Sequence, residues 1–241
     1  MGFTDKVKKK LKNGSWYPLY NTFYEKTKLK KNMILLESRS GKALESNILA
    51  ILKELQKDAY RKFTLVLSVH RSAEDEIRGK LRRNGIRVSR TVRTGSLSYY
   101  KALSQAGYLV NDTTFPGRFI KKDGQIYLNT WHGTPLKKMG RDNRPEAVSM
   151  GNVLRNLLDS DYLVFPNRFM EEMMSRAYML SALYRGTVLH EGYPRNDIFY
   201  SEPGERQRRL LREEGLEGKK IIMYLPTFRG LVDSVDNGKY M

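Results

Sequence analysis

The sequence predicts an α/β fold built on a doubly wound parallel sheet. Two observations carry this. From Asn32 onward, short apolar runs alternate with stretches of helical spacing, and the joints between them are loops rich in Ser, Gly and Pro. That repeated strand–loop–helix order is the signature of a parallel sheet covered by helices. The runs themselves, such as Met33–Glu37 and Phe63–Val69, are apolar almost throughout. At 241 residues, 40% of them hydrophobic, the chain suffices for one large domain, or for one domain and part of another.

The elements follow in order. Residues 1–31 form a basic segment in which Lys6, Lys8, Lys9, Lys10 and Lys12 surround Phe3, Val7 and Leu11, with Trp16, Tyr17, Tyr20, Phe23 and Tyr24 behind. On a helix the i, i+4, i+8 spacing gives one narrow apolar stripe. Two readings stay open: a segment lying on an anionic bilayer, or a solvated helix whose aromatics dock on the domain. Met33–Glu37 is the first strand, and Ser38–Lys42 is a polar loop that lacks the spacing of a Walker loop. Ser46–Gln56 is a helix with Ile48, Ile51, Leu52 and Leu55 on one face. Phe63–Val69 is the second strand, and Ala73–Asn84 is a helix with acids first and bases last, as the helix dipole favours. Gly85 ends it. Ile86–Val88 is the expected third strand, beside Arg87, Arg90 and Arg93, either a solvated edge or an anion-binding patch. Ser96–Ala106 is a helix capped by Gly107, and Tyr108–Val110 is a strand leading to the loop Asn111–Pro116. There Asp112 reads as a turn or cap residue. Lys121–Gly124 is a hairpin-like turn returning the chain to Gln125–Asn129. Ser149–Leu158 is a helix, Tyr162–Phe165 a strand, Arg168–Tyr178 a methionine-rich helix packed in the core, and Thr187–His190 a strand. Ser201–Gly218 is a charged connection, and Ile221–Leu225 opens something new.

Net charge is +18, with a pI near 9.9. Such a field attracts polyanions: nucleic acid, an anionic membrane surface, or a polymer with a phosphate backbone. There is no cysteine, so disulfides and thiolate metal sites are excluded. No run has the length of a membrane-spanning helix, and no apolar stretch near the start resembles a secretory signal.

The strongest stretch is Tyr127–Gly140, Y-L-N-T-W-H-G-T-P-L-K-K-M-G. A strand ends in His132, Gly133 and Pro135 force a turn, and Lys137, Lys138 and Arg141 follow. An imidazole takes a proton near neutral pH, and cations hold phosphoryl charge. The residue types alone also fit a packed, hydrogen-bonded histidine.

N-T-W-H-G-T-P-L-K-K-M-G closely resembles the signature of the CDP-glycerol glycerophosphotransferases, which build teichoic acids and related cell-envelope polymers. Leu35–Lys42 (LLESRSGK), Gly192–Asp197 (GYPRND) and Tyr224–Arg229 (YLPTFR) agree in family order. The resemblance implies a GT-B-like architecture, two Rossmann-like domains facing across a cleft. Residues 32–200 would be the Rossmann-like N-terminal (acceptor) domain, and residues 201–241 the connection and first strand of an incomplete C-terminal nucleotide-binding domain. It implies transfer of glycerol phosphate from CDP-glycerol to a lipid-linked glycerol-phosphate polymer, with His132 as general base. The substrate- and phosphate-binding candidates are Ser38, Ser40, Asn129, Thr130, Gly133, Thr134, Lys137, Lys138, Arg141, Arg195, Asn196, Asp197, Thr227 and Arg229. For Ser38 and Ser40 an ordinary connection is the competing reading. No protein-held metal and no cofactor is expected. The expected location is peripheral, on the cytoplasmic face of the membrane. The alternatives are a truncated, non-catalytic relative that binds acceptor or membrane, and a basic nucleic-acid-binding protein, although the aromatics form no nucleic-acid recognition motif. With the donor half expected to be missing, this chain alone should bind CDP-glycerol weakly.

Overall fold

The computed structural model describes residues 20–117, 119–200 and 204–224. They fall into two compact units, one running to Phe199 and one from Tyr200.

In the first unit, β1 (Lys30–Glu37), β2 (Thr64–Val69), β3 (Arg90–Arg93), β4 (Ala106–Asn111), β5 (Ile126–Asn129), β6 (Tyr162–Val164) and β7 (Thr187–Leu189) form one sheet in the order β3-β2-β1-β4-β5-β6-β7. Every pairing is parallel. The chain winds outward from β1 to β3, then returns to β4 on the other side of β1. That reversal opens a crevice at the carboxyl ends of β1 and β4, where open α/β sheets take their ligands. The Rossmann-like α/β class expected from the sequence is therefore the observed one.

Strand side chains alternate between the two faces. Ile34 and Leu36 of β1 pack with Leu65 and Leu67 of β2 beneath α1 (Ser46–Glu54) and α2 (Glu74–Arg83). Met33, Leu35, Val66 and Leu109 face the other way, against Tyr99 and Leu103 of α3 (Leu97–Gln105) and against Phe115, Phe119 and Tyr127. A third cluster joins β6 to α5 (Gly151–Asp159) and α6 (Arg168–Tyr178), with Trp131 and Tyr193 in it. The short helices α4 (Arg144–Ala147) and α7 (Leu180–Leu183) complete this unit.

Several expectations need correction. The third strand is Arg90–Arg93, not Ile86–Val88. Ile86 and Val88 are apolar because they pack under α2, while the edge strand buries only Val92. Gly107 does not cap α3. It lies inside β4, where a Cβ would sit 2.9 Å from the Lys30 carbonyl oxygen. Lys121–Gly124 turns the chain, with the Gln125 N–H donating to the Lys122 carbonyl at 3.1 Å, but no hairpin forms because β4 and β5 are parallel. Nor is Lys31 the end of a separate segment, since β1 starts at Lys30. Tyr20 is buried in the core, and its hydroxyl donates to the Ile120 carbonyl at 3.0 Å, so this aromatic docks on the domain. Residues 1–19, with the Phe3/Val7/Leu11 stripe, lie outside the described residues.

The second unit contains α8 (Glu205–Glu213), followed by Gly215 at a φ of 61°. Residues 221–224 pair with no strand, and 225–241, including Thr227 and Arg229, lie outside the described residues.

Candidate functional site

Three loops meet at the carboxyl edge: 38–45 after β1, 111–115 from β4, and 129–135 after β5. Asp112 joins the first two. Its carboxylate accepts from the Ser38 hydroxyl at 3.0 Å and from the Arg39 backbone N–H at 2.8 Å. Arg39, Ser40 and Gly41 all have positive φ, at 49°, 54° and 77°. A Cβ on Gly41 would lie 2.2 Å from the Thr94 hydroxyl, so only glycine fits there. Ser40 faces Thr113, hydroxyl to hydroxyl, at 3.4 Å. Burial raises the Asp112 pKa, and the Arg39 N–H, the Ser38 hydroxyl and His132 pull it back down.

Asp112 also reaches the third loop through its backbone. His132 Nδ1 lies 2.8 Å from the Asp112 carbonyl oxygen. A carbonyl oxygen only accepts, so Nδ1 carries a proton, and in the neutral ring the lone pair lies on Nε2. The ring stacks on Trp131, with centroids 4.5 Å apart and planes inclined by 23°. Trp131 is buried at a φ of 51°, and its N–H donates to Asn129 Oδ1 at 2.8 Å. His132 itself is half-buried.

Behind the histidine stands Arg195. Its Nη1 donates to the His132 carbonyl at 2.9 Å and to the Ser46 hydroxyl at 3.0 Å, and its guanidinium lies over the Tyr193 ring. Buried Asn47 ties the same pieces together. It donates to the Trp131 carbonyl at 3.3 Å and accepts from the Arg195 N–H at 3.3 Å. Asn47 carried no sequence signal, because a polar residue in the first turn of a helix looks like an ordinary surface position.

The structure brings His132, Gly133, Ser38, Ser40 and Arg195 to one edge. Asn129 and Thr130 are fully buried. The Asn129 amide holds the Thr113 carbonyl and the Tyr127 hydroxyl, and the Thr130 hydroxyl donates to the Trp131 carbonyl. Thr134 is half-buried, while Lys137, Lys138 and Arg141 are exposed on the loop leading away. A cavity of about 160 Å³ opens there, lined in part by Lys137, Lys138, Met139, Met173, Met174 and Arg176. Asn196 donates its N–H to the Tyr193 carbonyl at 2.8 Å, and Asp197 is exposed. Asp112, read from the sequence as a turn or cap residue, is a hub of the site. Among the described residues no group of three or more acidic or histidine side chains could hold a metal ion.

Residues 19–236 match the family described as CDP-Glycerol:Poly(glycerophosphate) glycerophosphotransferase. The chain belongs to this family. Over 233 residues it is 29% identical to a teichoic acid poly(glycerol phosphate) polymerase of Staphylococcus epidermidis, covering 92% of this chain and 30% of that protein. It is 29% identical to a teichoic acid glycerol-phosphate transferase of Staphylococcus aureus, covering 97% of this chain and 60% of that protein. The chain thus spans from under a third to about three-fifths of these two relatives. Among solved structures, the wall teichoic acid polymerase TagF matches with a TM-score of 0.71 and 26% identity, over 100% of this chain and 60% of that one. A TagF variant soaked with CDPG matches equally well, with a TM-score of 0.71 over 95% of this chain and 58% of that one. The GT-B-like assignment of the fold rests on this likeness. No helix among the described residues is long and apolar enough to cross a membrane.

Proposed function

We propose that this chain provides the acceptor-side domain and the general base of a transferase. The reaction moves glycerol phosphate from CDP-glycerol to the terminal hydroxyl of a glycerol-phosphate polymer carried on a lipid, at the cytoplasmic face of the membrane. What supports this reading above all is the fixed tautomer of His132, with Nδ1–H on the Asp112 carbonyl and the Nε2 lone pair left to take a proton. The acceptor hydroxyl gives its proton to Nε2 as its oxygen bonds to phosphorus. The bond from that phosphorus to the oxygen of the CMP leaving group breaks, and CMP departs. Proton transfer by a positioned group contributes about 10²–10⁴-fold in rate. Arg195 holds the His132 carbonyl and orients the base, while the exposed side chains of Lys137, Lys138 and Arg141 bring positive charge to the loop that follows.

The test is CMP release from CDP-glycerol with a lipid-linked acceptor, with CDP-ribitol as the competing donor. His132→Ala should cut turnover at least about a hundredfold with the fold retained. Near-normal turnover in that variant removes His132 from the chemistry.

A further inference from the structure

The strand register lines up an unusual row. Glu37 of β1 pairs with Asn111 of β4, and Asn111 pairs with Asn129 of β5. Leu36 pairs with Leu67, so the next step sets Glu37 beside Ser68 of β2. Four polar residues thus cross four adjacent strands at the carboxyl edge, each at most 1% exposed. They sit on the sheet face that carries Met33, Leu35 and Leu109 one layer below, with Tyr99 of α3 packed over it. Buried polar groups are nearly always hydrogen-bonded. Yet Glu37 Oε2, the Tyr99 hydroxyl and Asn111 Nδ2 are three buried atoms that complete no well-formed hydrogen bond among the described residues, although Tyr99 lies near enough to Glu37 to act on its charge. They are chemically complementary when Glu37 is protonated: its carboxyl then offers an acceptor to the Asn111 amide and an O–H donor to the Tyr99 hydroxyl, which itself does both. From Asn111 the bonding continues to the site. Tyr127 donates its hydroxyl to Asn111 Oδ1 at 2.9 Å, Asn129 donates to that hydroxyl at 3.1 Å, and Asn129 Oδ1 receives the Trp131 N–H at 2.8 Å.

We propose that Glu37 is a positioning residue for the His132 loop, acting as a neutral carboxylic acid that closes a buried polar set with Tyr99 and Asn111 and so fixes the relay Asn111–Tyr127–Asn129 on which Trp131 and His132 rest. The proposal builds on the reading of His132 as the base. Its chemistry is that of a protonated acid in an apolar setting, which can donate a hydrogen bond that a carboxylate cannot. Burial, against the opposing pull of Ser68 and Tyr99 and with a smaller push from nearby Asp112, brings Glu37 up to about 7. The titratable groups facing it are thus Tyr99 from α3, Asp112 beyond β4, and Tyr127 from β5. Losing the proton would place a carboxylate in the row and disturb the amide of Asn111. The relay would then carry that disturbance to the Trp131 N–H.

NMR on the full chain tests this without measuring turnover, so its failure and the failure of the His132 reading are distinguishable. The Glu37 carboxyl and the Trp131 backbone amide are followed from about pH 3 to about pH 9, spanning the ordinary glutamate range and well above it. The work is done in a His132→Gln background, which removes the imidazole's own titration. Glu37 should titrate near 7 rather than near its ordinary 4.5, and the Trp131 amide should shift with the same midpoint. Glu37→Gln keeps a neutral hydrogen-bonding group of the same size and should abolish the shift. A midpoint near 4.5, or a Trp131 shift that persists in Glu37→Gln, overturns the proposal. If Glu37→Gln does not fold, Tyr99→Phe decides. Removing the hydroxyl that lowers Glu37 should move both midpoints upward together, and movement of one alone overturns the proposal.

Discussion

At the scale of single residues, the site is organised by side chains that touch each other. Asp112 and Asn47 hold loops, Arg195 holds a peptide carbonyl, and Glu37 lies buried in the layer beneath. Glu37 also carries a stability signature. Its folded pKa of about 7 lies above its ordinary 4.5, so between those values the folded state binds the proton that the unfolded chain releases. Stability from this group is therefore complete below about pH 4.5 and is lost as pH rises through about 7. The shift corresponds to roughly 3 kcal/mol at about 1.4 kcal/mol per unit. Denaturant unfolding across that window should show a decline of this order. In Glu37→Gln the decline should shrink to what the other groups contribute, Asp112 among them, whose raised pKa acts with the same sign. A parallel decline in both proteins would show that Glu37 is not its source.

At the scale of elements, close approach explains what propensity does not. Gly140, at a φ of 54°, lies where a Cβ would be 2.4 Å from the Ala177 carbonyl oxygen, so the loop after His132 is pressed onto α6 through a residue with no side chain. Gly85, at a φ of 62°, has nothing within 4 Å. Both alanine variants incur left-handed strain of about 1–2 kcal/mol, but Gly140→Ala also forces the loop off α6. Its loss of stability by urea denaturation should exceed that of Gly85→Ala by at least about 1 kcal/mol. Equal losses would mean that the loop yields freely. Gly107 shows the same limit on reading the sequence. A glycine after a helical run resembles a cap, and only the approach of β1 reveals its purpose. The Met33–Glu37, Phe63–Val69 and Arg168–Tyr178 runs were legible because apolar spacing follows burial directly. Strand β3 was not, since an edge strand with one buried side chain carries little apolar signal. The loop from β4 to β5 was misread because no helix is found in its described part. Phe115 and Phe119 fill the helix's place against the core, and the polar turn before β5 then resembles a hairpin. At the site, His132 was legible by its motif, whereas Asp112, Asn47 and Glu37 owe their roles to the meeting of distant loops and strands.

At the scale of the whole molecule, the proposed membrane location and the charge of +18 raise the question of which part of the chain would carry attraction to an anionic surface. Residues 1–18 contain five lysines and one aspartate, four of the eighteen net charges, so fourteen lie in the rest of the chain. Deleting residues 1–31 would remove Tyr20 from the core and the first residues of β1, and would confuse unfolding with loss of binding. Deleting residues 1–18 leaves both in place. If the terminal stripe and its lysines are the anchor, that deletion should abolish flotation with vesicles containing phosphatidylserine, because each lysine near such a surface contributes about 1 kcal/mol and the apolar residues add to it. If the attraction is spread over the folded domain, the truncated chain should still float, and salt should release it steadily as the Debye length shrinks to about 10 Å near 0.1 M. The expected outcome is loss of flotation on deletion, with the intact chain released by salt only in part because the Phe3/Val7/Leu11 stripe is not screened. Unchanged flotation of the truncated chain would move the membrane-facing surface from the terminus to the folded domain.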